Sequence, residues 1–288
     1  MTTSSRRFRF VQLEYPWALG PEPGRYSIRE HLGEGPRHIV VLRTLGAPKR
    51  QALRRSRRAR AAPPGPSPEP VTTSRATLVD TAALGDRRSA ERWLQAVDPD
   101  ELAADAVARL NRVLHAHRIA IADPYAREVA RGQALVVRIG FGSGEHVADG
   151  RWDQARELPR EPTTARRPAT AALRPQERLA ALLAGRDVML ACEDLVLRTR
   201  ADIDAGRVRE AALGLRATLE AALAELEPWR EQSGLAQRLD ELRSREEEVA
   251  DAARAALLGG LEERQIDAVG SVLGRLEAAL RARTAGGL

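Results

Sequence analysis

GRVREAALGLRATLEAALAEL, residues 206–226, decides the fold of the second half of the chain, because its apolar residues return every three or four positions. This period matches the α-helix and predicts an amphipathic helix, with arginines and glutamates on the opposite face. The apolar stripe comprises Val208, Ala212, Leu215, Leu219, Ala222 and Leu226. Pro228 then ends the helix, because proline has no amide hydrogen to donate.

Three further helical patterns surround this stretch between residues 174 and 288. The first runs from Pro175 to about Gly206, and its broad apolar face comprises Leu179, Leu182, Leu183, Val188, Met189, Leu190, Val196 and Leu197. The second, broken at Gly259, carries the stripe Leu235, Leu239, Leu242, Val249, Ala253 and Ala256. The third carries Ile266, Val269, Leu273, Leu276 and Leu280. Four helices joined by short connections predict an all-α unit, either a bundle or a pair of helical hairpins.

The last of these helices contains a strip of small residues. Gly270, Gly274 and Ala278 lie four positions apart and leave a helix face without side-chain bulk, which a neighbouring helix can approach closely. The charged residues around the strip exclude a membrane-spanning segment. Together with Leu273 and Leu276, these residues form a candidate seam, either for packing inside the chain or for a homo-oligomer.

The first half of the chain reads as strands with two helices. The second helix has a strong start, with Asp98 as N-cap and Pro99 at the first helical position, and Ser89 caps the helix before it. The second helix is expected to bury Leu102, Ala106, Leu110 and Val113. Strands are predicted at 8–14, 25–30, 38–45, 71–79 and 133–141. This order predicts an α+β domain with a mainly antiparallel sheet.

Composition divides the chain into parts. Residues 49–70 are first basic and then rich in proline, so they cannot bury enough apolar surface to order themselves. We interpret them as a disordered insertion between two strands of one hairpin. The predicted organisation is an α+β domain at 1–158, a linker at 159–173 and a helical domain at 174–288.

Charge is unevenly distributed along the chain. Residues 174–288 hold 17 arginines and 21 acidic residues, whereas the first 173 residues hold 29 basic and 19 acidic residues. Seven of the basic residues form one run without an acid: Lys49, Arg50, Arg54, Arg55, Arg57, Arg58 and Arg60. Such a run can neutralise phosphates of a nucleic acid, or bind an acidic protein or lipid surface, in a salt-sensitive manner. It holds no aromatic residue to stack on bases, and a simple solvated insertion is the alternative.

The sequence contains no recognisable catalytic, cofactor-binding or metal-binding pattern. The glycine-rich stretch GFGSGEH, residues 140–146, lacks the lysine and hydroxyl residue of a phosphate-binding loop and predicts a hairpin turn. His115 and His117 are two positions apart on a helix, so they point in opposite directions and cannot chelate one ion. We therefore expect no catalytic residues, no cofactor and no metal site.

The single cysteine and the hydropathy profile bear on location. Cys192 is the only cysteine, so an intramolecular disulfide is excluded, and its apolar neighbours predict a buried side chain. The N-terminus lacks the apolar core of a signal peptide, and no apolar run is long enough to span a membrane. These features predict a cytoplasmic protein.

These observations favour a non-enzymatic interaction or assembly protein, in which both domains bind a protein partner or build a homo-oligomer through the last helices. One alternative is a nucleic-acid-associated protein that uses residues 49–60 without reading sequence. A third is an enzyme with a site between the two domains. The polar residues of interest for that third hypothesis are Tyr26, Arg43, Tyr125, Arg138 and His146.

Overall fold

The computed structural model describes most of the chain, in two compact units, Met1–Ala165 and Arg166–Leu288. The described residues are 6–29, 33–46, 72–160, 175–232 and 234–286. The basic run at 49–60 lies outside them, and so does the predicted linker from residue 161 onward. The roles assigned to these two segments therefore stay predictions.

A six-stranded sheet forms the frame of the first unit in the part that the structure describes. The strands are β1 (Arg7–Tyr15), β2 (Gly24–Ile28), β3 (His38–Leu45), β4 (Thr73–Gly85), β5 (Val136–Gly142) and β6 (Gln154–Glu157). They are ordered β2-β3-β4-β1-β5-β6, and every neighbouring pair is antiparallel. This arrangement confirms the predicted antiparallel sheet and places β2 and β6 at the two edges.

The pairing of β3 with β4 explains where the basic segment belongs. Register runs from His38 opposite Asp80 to Leu45 opposite Thr73, so the two strands are direct neighbours. The chain between them connects adjacent antiparallel strands, as the insertion hypothesis requires. β4 continues to Gly85, beyond the predicted end at residue 79, because its second half pairs with the start of β1.

Two helices, α1 (Arg87–Ala96) and α2 (Pro99–Ala120), follow β4. The Asp98 carboxylate accepts hydrogen bonds from the first turn of α2, which confirms the predicted start. The predicted cap of α1 is wrong. Asp86 caps this helix by accepting a hydrogen bond from the Ser89 amide at 2.9 Å, because Gly85 turns the chain directly from β4 into the helix with φ at +85°.

The main core of the first unit lies between α1, α2 and one face of the sheet. Its largest fully buried side chains are Leu13, Tyr15, Leu110, Ile139 and Phe141. The buried side of α2 is formed by Ala103, Ala106, Leu110 and Leu114. Two residues that were predicted to be buried, Leu102 and Val113, only flank this core. The helix is therefore rotated slightly from the orientation that the apolar pattern predicts.

The opposite face of the sheet is covered in part by the connection between β5 and β6. A 3₁₀ helix, Gly144–Asp149, places Val147 against Phe10 and Val79. The glycine-rich stretch is therefore a structural connection between hairpin strands, as predicted. Gly140 allows the close approach of β6, because a Cβ at this position would lie 2.3 Å from the backbone oxygen of Gln154.

The described part of the second unit consists of six α-helices and a short 3₁₀ turn at Glu227–Trp229. The helices are α3 (Pro175–Leu183), α4 (Ala191–Asp204), α5 (Val208–Glu225), α6 (Leu235–Arg243), α7 (Glu246–Leu258) and α8 (Glu263–Gly286). An all-helical second half was predicted and is confirmed. α5, the helix of the opening stretch, contacts α4, α6, α7 and α8 and is thus the central element of the unit.

Two of the four predicted helices are each divided in the structure. The first ends after Leu183, where Gly185 has a φ of +68° and the Arg186 amide donates to the Ala181 carbonyl at 2.8 Å. The other is interrupted at Ser244, whose amide donates back to the Asp240 carbonyl at 3.1 Å. At the second break, the apolar residues on both sides reach one core, with Leu242 before it and Val249 after it.

The core of this helical unit is almost entirely aliphatic. Fully buried members include Leu215, Leu226, Leu235, Leu239, Leu242, Leu273 and Leu276. One polar contact lies within it, between the Thr199 and Thr218 hydroxyls at 3.2 Å. Among the described residues, the helices are all too short or too polar to cross a bilayer.

Candidate functional site

The most unusual surface of the helical unit is formed by exposed apolar residues on α3, on α4 and in the connection between them. We call it the corner surface, and it comprises Leu179, Leu183, Val188, Met189 and Leu197. Between 48% and 81% of each of these residues is exposed. They were predicted to share the broad apolar face of one continuous helix, and this prediction is wrong because the helix is broken at Gly185.

Local hydrogen bonds hold the corner in shape. The amides of Arg186 and Asp187 both donate to the Ala181 carbonyl, at 2.8 and 3.3 Å, so the connection folds back against the last turn of α3. The Val188 amide donates to the Asp187 carboxylate at 2.8 Å. On α3, Leu179 and Leu183 are four positions apart and share one side of the helix. The apolar side chains therefore project from a defined backbone.

A buried charge network lies behind this corner. The guanidinium of Arg283, from α8, is 96% buried and donates to the Asp187 carboxylate at 2.7 Å. It also lies 3.6 Å from the Glu193 carboxylate and stacks over Trp229, with 4.6 Å between the guanidinium carbon and the ring centre. Arg178, from α3, donates to the same two carboxylates. Two arginines and two carboxylates thus join α3, α4 and α8.

The network keeps the Asp187 carboxylate charged. Burial opposes the charged form of Asp187, but hydrogen bonds from the Val188 amide and from the two arginines outweigh it. The pKa of the Asp187 carboxyl is therefore lower than its ordinary value. Because a buried ion pair is costly to break, this arrangement fixes the position of α3 on the rest of the unit.

A second carboxylate supports the start of α4. The residue before this helix, Leu190, offers no side-chain cap. Glu225 from the end of α5 instead accepts hydrogen bonds from the Ala191 and Cys192 amides at 3.1 and 2.9 Å. Those amide bonds lower the pKa of the Glu225 carboxyl. Cys192 itself is buried, as predicted, and burial raises the pKa of its thiol to about 12. It is a packing residue and not a nucleophile at neutral pH.

The strip of small residues on α8 is open along two of its members. Leu273 and Leu276 are fully buried in the helical core. At Gly270 and Gly274, an added Cβ would meet no atom of the other described residues within 4 Å. Ala278 is half-buried. Close packing within the described part of the chain therefore does not require the two glycines.

The polar residues singled out in the first unit do not converge on one site. Arg138 donates to Gln12 at 2.7 Å and lies under the Trp152 ring. Arg43 is on the same sheet face but interacts with Asp149 at 3.6 Å, in the 3₁₀ connection that also contains the predicted His146. Tyr26 lies on the other face of the sheet, where its hydroxyl donates to the Glu22 carbonyl, and Tyr125 is exposed.

One histidine–carboxylate pair lies beneath α2. The Nε2 atom of His38 is 3.6 Å from the Asp80 carboxylate, beside a cavity of about 110 Å³. The same carboxylate accepts hydrogen bonds from Arg9 at 2.7 Å and from the Ala82 amide at 2.7 Å. Because all of these donors surround one carboxylate, the cluster acts to hold β1, β3 and β4 together.

Metal ligands are not grouped in the described part of the chain, where no set of three His, Cys, Asp or Glu side chains is close enough to hold an ion. His115 faces Glu128 at 3.7 Å, while His117 packs against Gly20, so the two histidines diverge as predicted.

The buried charge network behind the corner, with Trp229 beside it, was not predicted from the sequence. No local signal identifies it, because a buried arginine near a helix end has the same sequence context as an exposed one. The exposure of the corner surface was not predicted either, because its residues belong to an apolar pattern at helical spacing.

No protein-family model, no curated protein and no solved structure matches the chain. Function is therefore inferred from the surfaces and cavities of the chain itself.

Proposed function

We propose that this chain is a non-enzymatic interaction protein that binds a second copy of itself through the corner surface. The observation that carries the proposal is the concentration of five large exposed apolar side chains within residues 179–197. Apolar patches of this kind on a folded protein are typical of protein–protein contact sites. The buried charge network behind the corner keeps the patch in one shape, which lowers the entropic cost of binding.

Burial of the corner surface contributes enough free energy for self-association. The exposed fractions add up to about three fully exposed side chains, which on burial contribute roughly 5–9 kcal/mol. A two-fold symmetric contact uses the same patch twice, so the gross contribution is roughly 10–18 kcal/mol. The cost of association is about 4–15 kcal/mol. The midpoints of these two ranges leave about 4–5 kcal/mol in favour of association, so a weak dimer with a dissociation constant of roughly 0.5 mM is expected.

The charges around the patch also suit a second copy. Asp194 and Arg198 flank Leu197 and form an exposed pair on α4. Both signs are therefore present at the rim, so two copies related by a two-fold axis present matching charges around an apolar centre.

The test is the oligomeric state of the full chain, measured by sedimentation velocity and light scattering over a range of concentrations. The substitution L183E/M189E places charge on the two most exposed residues of the corner surface and is expected to give a monomer. L257E/L258E is the matched control, since these residues are also exposed but lie at the end of α7. Wild-type protein that is still monomeric at about 1 mM, roughly twice the expected dissociation constant, would overturn the proposal, as would equal effects of both variants.

A homo-oligomer built on the last helix is a second arrangement of the same function. It is favoured by the open positions at Gly270 and Gly274, where glycine costs helix stability and where no close contact with the described residues explains its presence. A dimer that survives L183E/M189E would direct attention to this strip.

A different function, binding of nucleic acid without sequence preference, is favoured by the seven basic residues between Lys49 and Arg60. Replacing all seven by glutamine is expected to abolish binding to a random-sequence duplex at low salt. Unchanged affinity of this variant would exclude the run as a binding segment.

A further inference from the structure

A cleft of about 470 Å³ lies in the first unit, between edge strand β2 and the C-terminal half of α2. Its described walls are mainly apolar and include Pro21, Ile28, Val113, Ala116 and Ala120. A cleft of this volume is in the lower part of the size range that is usual for small-molecule sites.

The charged groups at the cleft are all cations or potential cations. The described lining contains Arg29, Arg112 and His117 and no aspartate or glutamate. Both arginines are exposed, and neither forms an ion pair or a side-chain hydrogen bond with the described residues. Nearby arginines on the same two elements behave differently, since Arg25 on β2 pairs with Glu145 and Arg109 on α2 pairs with Asp105.

His117 is held at the cleft by the backbone opposite it. A Cβ at position 20 would lie 3.1 Å from the imidazole Cδ2 atom, and Gly20 has a φ of +108°. Glycine suits this position because it adopts a positive φ readily and because it leaves space for the imidazole ring of His117. The imidazole is therefore packed in place at the cleft, while the two guanidinium groups remain free to adjust to a ligand.

We propose that this cleft binds a small amphiphilic anion, such as a medium-chain carboxylate, with its acidic group at Arg29 and Arg112 and its apolar chain along α2. Charge complementarity identifies the ligand class. An anion offsets two cations that have no counter-charge in the described cleft, and each methylene group that is buried adds roughly 0.8 kcal/mol. A neutral or cationic amphiphile has only the second of these contributions.

The proposal is tested by isothermal titration calorimetry of the full chain with decanoate, decanol and acetate. Decanoate is expected to bind at one site, with decanol and acetate each at least fivefold weaker. R112Q and R29Q are expected to weaken decanoate binding at least fivefold, while the paired-arginine controls R109Q and R25Q keep the wild-type affinity. A116L, a change at an exposed position on the cleft wall, is expected to reduce binding by filling the space for the chain.

Two outcomes would overturn the proposal. Decanol that binds as tightly as decanoate would show that the arginines play no part. Equal weakening by R109Q and R112Q would show that decanoate acts as a non-specific detergent. Thermal unfolding of each variant checks that the fold is intact, and sedimentation velocity of the decanoate complex separates this site from self-association.

Discussion

Replacing Gly270 and Gly274 by alanine is expected to stabilise the helical unit. Both glycines lie inside α8, and in the part of the chain that the structure describes an added Cβ at either position would meet no neighbouring atom within 4 Å. Glycine in a helix interior is about 0.8–1.0 kcal/mol less favourable than alanine, so G270A/G274A is expected to add about 2 kcal/mol. For a unit of this size, roughly 3–6 °C accompany each kcal/mol, which gives a rise in melting temperature of roughly 6–12 °C.

The measurement is scanning calorimetry of the full chain, at a concentration where sedimentation shows a monomer. G214A is the matched control, because Gly214 is also inside a helix but its Cβ would lie 3.1 Å from the Thr199 hydroxyl. That hydroxyl already contacts Thr218, so the tight fit offsets the gain in helix propensity, and no rise is expected. An unchanged or lower melting temperature for G270A/G274A would refute the reasoning.

The same double variant separates the two assembly surfaces. If the monomer becomes more stable and the dimer is retained, the strip on α8 is not the contact. If the monomer becomes more stable and the dimer is lost, the strip is the seam, and the corner surface has another role.

Two further predictions concern the buried groups of the helical unit. R283M is expected to destabilise the unit by about 2–4 kcal/mol, because Asp187 and Glu193 then keep only one arginine partner, although solvent still reaches both carboxylates in part. Denaturant unfolding measures this loss of stability. R264M removes an arginine from an exposed ion pair and is the control, with an expected effect near zero. Cys192 is expected to be unreactive to thiol reagents at neutral pH in the native state, because burial raises its pKa to about 12, and fast native-state labelling would contradict this. In the unfolded chain the Cys192 thiol has a pKa of about 8.5, so it loses its proton at lower pH than in the native state. The contribution of this thiol to the free energy of unfolding therefore declines as pH rises from about 8.5 towards 12, and urea titrations at several pH values detect the decline.

Strand and cap positions were predictable where local chemistry is decisive. His38–Leu45 is the same in prediction and structure, because a β-branched run lies between glycine–proline turns. The start of α2 was predictable from Asp98 and Pro99, whose geometry suits only the first turn of a helix. The cap of α1 was not predictable in the same way, since both Asp86 and Ser89 are good capping residues and the end of β4 selects between them.

The candidate surfaces were less predictable than the fold. The corner surface combines residues that the helical period places in a core, and it is exposed because the chain turns at Gly185. Arg283 is the converse case, a charged residue that is buried because Asp187 and Trp229 reach it from elsewhere in the unit. The seven basic residues between Lys49 and Arg60 lie outside the described residues, so their role stays a prediction.

The sequence by itself determined the two-part architecture, the antiparallel sheet and the central helix at residues 206–226, because these follow from periodicity and local backbone chemistry. Only the tertiary structure decided which glycines end a helix, as Gly185 does, and which remain inside one, as Gly214 and Gly270 do. Glycine permits both outcomes locally at similar cost, so contacts with distant parts of the chain select between them. The same selection determines which apolar side chains are left at the surface for a partner.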